Sequence, residues 1–353
     1  MPPACDDNSR LHIGLDATYS LGKNLSGVGV YSREMIFGLA RAHPAQRFRY
    51  YYRPHRFLKS FSDTLPSNAS RRLLRGAPRV DLFHALNQRV DAPARRTVST
   101  FHDLFVMTGD YSSPEFRARF TEQARQAAAN SDAIIAVSRF TASQVEHQLG
   151  VEPSRIHVVP HGVSVPVTSF TAPRENLVLF VGVVQRRKNV ARLVKAFEQL
   201  PRGWRLALAG AAQGYGAAEE LRAVEESPRR VDIDVLGHLS AAQLDALYAR
   251  ARIFAFPSLD EGFGMPVLEA MSRGVPVITS NCSAMPEVAG GAALLIDPFR
   301  VEDLASALVR LAADESLRQE MILRGHARAS EFTWKAAVAQ TWAVYEKLMA
   351  ASS

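Results

Sequence analysis

The stretch Pro257-Ser258-Leu259-Asp260-Glu261-Gly262-Phe263-Gly264-Met265-Pro266-Val267-Leu268-Glu269 follows an apolar run, Ile253–Phe256, and passes through a glycine turn into the start of a helix. Strand, glycine turn and helix in that order make the repeating unit of a parallel sheet wrapped by helices. The turn also has a chemistry of its own. Gly262 and Gly264 expose backbone N–H groups and the helix start beneath them adds partial positive charge, so that together they form a site for a diphosphate. Glu261 and Glu269 bracket the turn eight residues apart. Glu261 precedes it, and Glu269 sits about one helical turn inside, where its oxygens accept hydrogen bonds from vicinal hydroxyls.

Moving outward, the same alternation fills the chain. Strands are predicted over Leu11–Tyr19, Phe48–Tyr52, Val80–Ala85, Thr97–Thr100, Ala133–Val137 and His157–Val159. A second set is predicted over Leu177–Val183, Trp204–Ala209, Ile233–Leu236, Ile253–Phe256, Val275–Thr279 and Ala292–Ile296. The fold class is α/β with two Rossmann-like domains, because 353 residues exceed what one ordinary core holds. The reading places an N-terminal domain at 1–165, a linker at 166–174, a C-terminal domain at 175–332 and a final amphipathic helix at 333–353. The linker is read from Ser164–Pro173, which has two prolines and no period.

Hydrophobic residues at 47% and charged ones at 22% describe a globular protein. No apolar run reaches the ~18 residues of a membrane span, and the first residues lack a signal-peptide pattern, so a cytoplasmic location is expected. Cys5 and Cys282 suggest no disulfide framework, and no Cys/His spacing fits a zinc site. The net charge of +7 is lopsided: residues 1–170 carry 21 Lys/Arg against 14 Asp/Glu, residues 171–353 carry 21 against 21. Within 41–79 ten basic residues face one acid, Asp63, with Phe57, Leu58, Phe61, Leu65, Leu73 and Leu74 interleaved. Such a segment is either a solvated surface or a face for anionic lipid on a membrane. No nucleic-acid motif accompanies the charge, so nucleic acid is not an expected partner.

Open parallel sheets bind ligands at the carboxyl ends of their strands. After the first strand comes Ser26-Gly27-Val28-Gly29, running into a helix, and after Thr97–Thr100 comes Phe101-His102-Asp103, with Asp103 placed to orient His102. His84 and Asn87 are either acceptor-side groups or structural ones. In the second half Gly182-Val183-Val184-Gln185-Arg186-Arg187-Lys188-Asn189 sets three cations after a strand, suited to a diphosphate. Gly237 and His238 follow another strand. Asp232 and Asp234 have metal-motif spacing but stand at a strand start, the wrong end for a ligand.

The Glu261–Glu269 pair with Gly262, Phe263, Gly264, Met265 and Pro266 between them resembles the Glu-x7-Glu signature of retaining family 4 glycosyltransferases of the GT-B fold, the bacterial group 1 type. Gly182, Arg187 and Lys188 match that family's Gly-x-x-x-x-Arg-Lys pattern, and similarity runs from about residue 11 to residue 345. One departure is Val183, where many members carry arginine. A subset with a small residue there relies on the Arg-Lys pair, and Arg186 stands ready to compensate. The resemblance implies two Rossmann-like domains facing a central cleft, with the C-terminal helix crossing back to the N-terminal domain. It implies His102 and Glu261 as catalytic residues, at the transferred sugar. Donor-binding residues would be Gly27, Gly29, Gly182, Arg187, Lys188, Gly237, Gly262, Phe263, Gly264, Met265, Pro266 and Glu269, the last on the ribose. It further implies transfer of a hexose, with GDP-mannose preferred over UDP-sugars, to a lipid-linked or oligosaccharide acceptor, and no cofactor or metal. A sugar-nucleotide epimerase, a phosphorylase or a non-catalytic nucleotide-sugar-binding protein on the same fold is the alternative. Glu261→Ala or Lys188→Ala is expected to lower turnover by orders of magnitude and leave the fold intact.

Overall fold

The structure is a computed structural model describing residues 11–22, 25–164 and 173–350. Cys5, the first ten residues and all of the linker 166–174 except 173 and 174 lie outside the described residues. The chain divides into two compact units: Met1–Leu104, Ala118–Gly162 and Trp334–Ser353 in the first, Phe105–Arg117 and Val163–Thr333 in the second.

The first unit is built on β1 (His12–Asp16), β2 (Arg47–Tyr52), β3 (Ala69–Leu73), β4 (Leu82–Ala85), β5 (Thr97–Phe101), β6 (Ala133–Ala136) and β7 (Ile156–Val158). Their order is β3-β2-β1-β4-β5-β6-β7 and every pairing is parallel. Every residue of β4, β5 and β6 is buried, as helices on both faces require, which is why these strands read as unbroken runs rather than alternations.

The helix Trp334–Ala350 belongs to this unit. It buries Ala337, Val338, Thr341, Trp342, Val344 and Tyr345 on one stripe against the helix Gly27–Ala42. The approach is close. A Cβ at Gly38 would stand 2.5 Å from the Val338 side chain, so only glycine fits there. The Trp342 indole stacks on His43 with ring centres 3.5 Å apart. Burying side chains of this size contributes roughly 1.5–3 kcal/mol each.

Strand β3 is one that the sequence pattern does not predict. Leu58–Ser62 is a short helical turn and Ala69–Leu73 pairs in register with Phe48–Tyr52. An edge strand with one face toward water tolerates Ser70, Arg71 and Arg72, and that polarity hid it.

The second unit holds β8 (Glu175–Val181), β9 (Arg205–Ala209), β10 (Ile233–Gly237), β11 (Ala251–Phe256), β12 (Val277–Ser280) and β13 (Ala293–Ile296), in the order β10-β9-β8-β11-β12-β13, again all parallel. Its topological switch lies between β8 and β11, where the two candidate ligand loops emerge side by side. Among the described residues no helix is long and apolar enough to cross a membrane.

Candidate active site

In the second unit the loop after β8 and the loop after β11 are stitched together. The Leu259 amide donates to the Arg187 carbonyl at 2.7 Å. Asn189, in the left-handed region at φ 61°, donates its side-chain amide to the carbonyls of Pro257 and Pro298 at 3.0 and 2.7 Å. The tie brings Arg187 and Lys188 to one carboxylate. Arg187 reaches Glu261 Oε1 at 2.8 Å, and Lys188 donates to the same oxygen. All three side chains are buried. The Arg187 guanidinium also donates to the Asp260 carbonyl at 2.7 Å and lies 4.2 Å from the centre of the Phe105 ring, while the Lys188 ammonium sits 4.4 Å over Phe256.

Burial would raise the Glu261 carboxyl, but the Arg187 and Lys188 charges outweigh it and hold the group at about 2. The array therefore carries two cations and one anion at neutral pH. Glu261 thus neutralises one unit of the charge of the Arg187–Lys188 pair.

The glycine turn lies directly after Glu261. Gly262, Phe263 and Gly264 are buried, and the Phe263 ring meets Phe332 edge-on with centres 5.8 Å apart. Gly264 caps the helix Met265–Ser272 at φ 95°, with Pro266 in its first turn, so the backbone conformation itself calls for glycine. Glu269 accepts a 3.2 Å hydrogen bond from the Tyr248 hydroxyl, and burial pushes its carboxyl up against the opposing effect of Arg273. Both acids of the pair thus have protein partners, one held ionised and the other shifted toward protonation.

Gly182 and Gly237 close the ends of β8 and β10, and between them lies Gly210, which the sequence reading did not single out. The Gly210 amide donates to the Gly237 carbonyl at 2.8 Å, and a Cβ on Gly210 would fall 1.9 Å from the Gly182 carbonyl oxygen. Glycine at 210 is what allows the two loops' backbones to approach this closely. The signal was the placement of Gly210 at a strand end, like the other two. His238 is exposed, as is Val183. Asp232 and Asp234 are paired with Arg229 and Arg205, at 2.8 and 2.7 Å.

The segment Phe105–Arg117 also belongs to the second unit. Thr108 donates to Asp260 at 2.8 Å, and Asp110 pairs with Arg186 at 2.6 Å. Burial raises the Asp260 carboxyl, with the Thr108 bond and Arg187 opposing and the Glu261 charge reinforcing. Arg186 also lies 5.6 Å over Tyr215. Its side chain is therefore tied to Asp110 and Tyr215, whereas those of Arg187 and Lys188 turn to Glu261.

In the first unit Ser26 caps the helix Gly27–Ala42 through a 3.3 Å bond from the Gly29 amide. A Cβ at Gly29 would lie 3.0 Å from the Tyr19 carbonyl oxygen, a tight contact that glycine avoids. His102 follows β5 and is buried. Its Nε2 lies 3.0 Å from the Leu86 carbonyl and its Nδ1 3.3 Å from Nε2 of His161. Both ring nitrogens of His102 are thus engaged, one by the Leu86 carbonyl and one by His161. Burial lowers His102 to about 4 against the Leu86 bond, and lowers His161 as well, with His102 adding to the effect.

His84 proves to be a core residue. Its Nδ1 lies 2.5 Å from the Tyr345 hydroxyl and its Nε2 2.8 Å from Thr100, which in turn meets the Tyr31 hydroxyl at 2.9 Å. Burial, reinforced by His102, lowers it to about 3, so it stays neutral and structural. Asn87 differs: it is buried, and both polar atoms of its amide lack a hydrogen-bond partner among the described residues.

Two family descriptions match the chain, Glycosyltransferase Family 4 over residues 25–165 and Glycosyl transferases group 1 over residues 168–328. The O-antigen chain mannosyltransferase B of Escherichia coli is 30% identical over 94% of this chain and 99% of its own. The MMP alpha-(1->4)-mannosyltransferase of Mycolicibacterium hassiacum is 33% identical over 65% of this chain and 58% of its own. Among solved structures, sucrose-phosphate synthase from Thermosynechococcus elongatus superposes with a TM-score of 0.78 at 22% identity, covering 97% of this chain and all of that one, a likeness of fold alone. With two parallel-sheet units, the paired glutamates on the second and a near full-length relative among the mannosyltransferases, the chain belongs to the group 1, family 4 glycosyltransferases of the GT-B fold and is a glycosyl-transferring enzyme.

Proposed function

We propose that the enzyme moves a hexose, mannose from GDP-mannose in preference to UDP-linked sugars, to a hydroxyl of a cell-surface polysaccharide or glycolipid, with retention at the anomeric carbon and without a metal. The observation that carries the proposal is the Arg187–Glu261–Lys188 array beside the glycine turn. As the bond from the anomeric carbon to the diphosphate breaks, negative charge grows on the leaving oxygen, and in this reading Arg187, Lys188 and the amides of 262–264 stabilise it. The acceptor oxygen forms its bond on the same face, and its proton passes to the departing phosphate. Glu261 holds a hydroxyl of the sugar, Glu269 the ribose, and His102 is assigned to the transferred sugar. The mannosyl preference is supported by the mannosyltransferases among the relatives. Incubation with GDP-α-mannose and an oligosaccharide acceptor in the presence of a chelator, with the product linkage read by NMR, tests the proposal. An α linkage supports it. A β linkage, or transfer that needs an added divalent cation, overturns it.

Asn87 fits an acceptor hydroxyl, because a buried amide without partners costs stability until something polar meets it. Asn87→Leu is therefore expected to keep or raise the melting temperature while raising the acceptor KM about tenfold, the loss of one hydrogen bond of roughly 1.4 kcal/mol. A lowered melting temperature with unchanged KM would assign Asn87 to packing.

A peripheral place on anionic membrane is proposed for part of the 41–79 segment only. Arg53 is buried beside Asp16 and Asp91, and Arg71 donates to the carbonyls of Ser60 and Asp63, so neither is available. Lys59, Arg72 and Arg75 are exposed, as are Leu58 and Phe61. Neutralising Lys59, Arg72 and Arg75 together is expected to weaken binding to phosphatidylserine vesicles roughly 100-fold at low salt, at ~1 kcal/mol per charge. Unchanged binding would make the patch ordinary surface.

A further inference from the structure

The two buried histidines of the first unit constrain one another. His102 Nε2 faces the Leu86 carbonyl, an oxygen that can only accept, so the proton of a neutral His102 is on Nε2 and its Nδ1 is a lone pair. The 3.3 Å contact from that lone pair to His161 Nε2 then requires the proton of His161 to be on Nε2 as well. The rings lie 25° from parallel with centres 5.3 Å apart. Tyr31 packs against both at 4.8 Å, edge-on to His102, and Trp334 packs against His161 at 6.1 Å. Burial disfavours the imidazolium form of each ring. A carbonyl on one side and a donor on the other leave His102 no second tautomer and no flipped orientation without losing a bond.

We infer that His161 is the positioning residue of His102, its Nε2–H fixing the tautomer and orientation in which His102 meets the transferred sugar. The inference rests on the reading that gives His102 that contact. It also predicts what His102 does not do. A ring with its proton committed to Leu86 and its lone pair to His161 acts by placement, and takes no proton from the acceptor.

The test uses the full chain labelled with ¹⁵N histidine. In the parent protein the His102 resonances are expected to show the Nε2–H tautomer without titration between pH 5.5 and 8. In His161→Phe, tautomer averaging at His102 should appear and kcat should fall about tenfold, the worth of one hydrogen bond, with little change in donor KM. His161→Gln places an amide N–H where Nε2–H was and should restore the single tautomer and most of kcat. Unchanged tautomer and kcat in His161→Phe would overturn the inference. If His161→Phe does not fold, His161→Gln decides instead, and a mixed tautomer in that variant overturns it. His102→Ala separates the underlying reading: full turnover there would remove His102 from the sugar, whereas lost turnover together with an unaffected His161→Phe would reject the pairing alone.

Discussion

Glu261→Ala is expected to lower turnover about 100-fold, the worth of a charge-assisted hydrogen bond of roughly 1.5–3 kcal/mol to the sugar. It should also lower folding stability by about 3–5 kcal/mol, because Arg187 and Lys188 remain buried without the carboxylate they share. The second effect departs from the sequence-based expectation that the fold would be untouched. Burial explains the difference. The intact array adds little net stability, since desolvation offsets its attraction, yet opening it exposes the whole desolvation cost of two cations. Glu261→Gln keeps the shape and should fall between. The pH dependence has a definite sign. The Glu261 carboxyl is depressed to about 2 in the fold, so its contribution to stability is complete above the unfolded carboxylate value of about 4.3 and is lost as pH falls through 2. Urea titrations of the parent and Glu261→Ala from pH 6 down to 2 should therefore converge at the acid end. Parallel curves would contradict the assignment.

Lys188→Ala is expected to cost about 10²–10³ in kcat, the usual effect of removing one group that stabilises developing charge in a water-poor site. Its stability cost should be smaller than that of Glu261→Ala, because Glu261 keeps Arg187 at 2.8 Å. The contrast is informative: one variant hurts folding and catalysis, the other mainly catalysis. Steady-state kinetics with thermal melts of both variants would show it. Near-normal kcat in Lys188→Ala would remove the ammonium from the leaving-group site.

Much of this was legible in the sequence for identifiable reasons. Strands buried on both faces, such as Leu82–Ala85 and Ala133–Ala136, show as apolar runs whatever surrounds them, and the glycine turn at 262–264 is written in residue types that few other conformations need. The edge strand Ala69–Leu73 was hidden because its partner supplies backbone pairing and asks nothing of side-chain polarity. Contacts distant along the chain were hidden altogether. Nothing local marks Thr108 as a donor to Asp260, His161 as a partner of His102, or Tyr345 as a partner of His84. The chain also gave no sign that Glu261 would be claimed by Arg187 and Lys188, since a carboxylate's partners follow from the fold.

Calorimetric titration of the purified protein with GDP and with UDP, in the presence of a chelator, tests most directly the claim that a nucleoside diphosphate occupies the Arg187–Lys188–Glu261 site without metal. The account predicts that GDP binds more tightly than UDP, that Lys188→Ala weakens it at least tenfold, and that a histidine-pair variant, His161→Gln, leaves it unchanged, since that pair belongs to the first unit. Binding that appears only with an added divalent cation, or that survives Lys188→Ala undiminished, would contradict it.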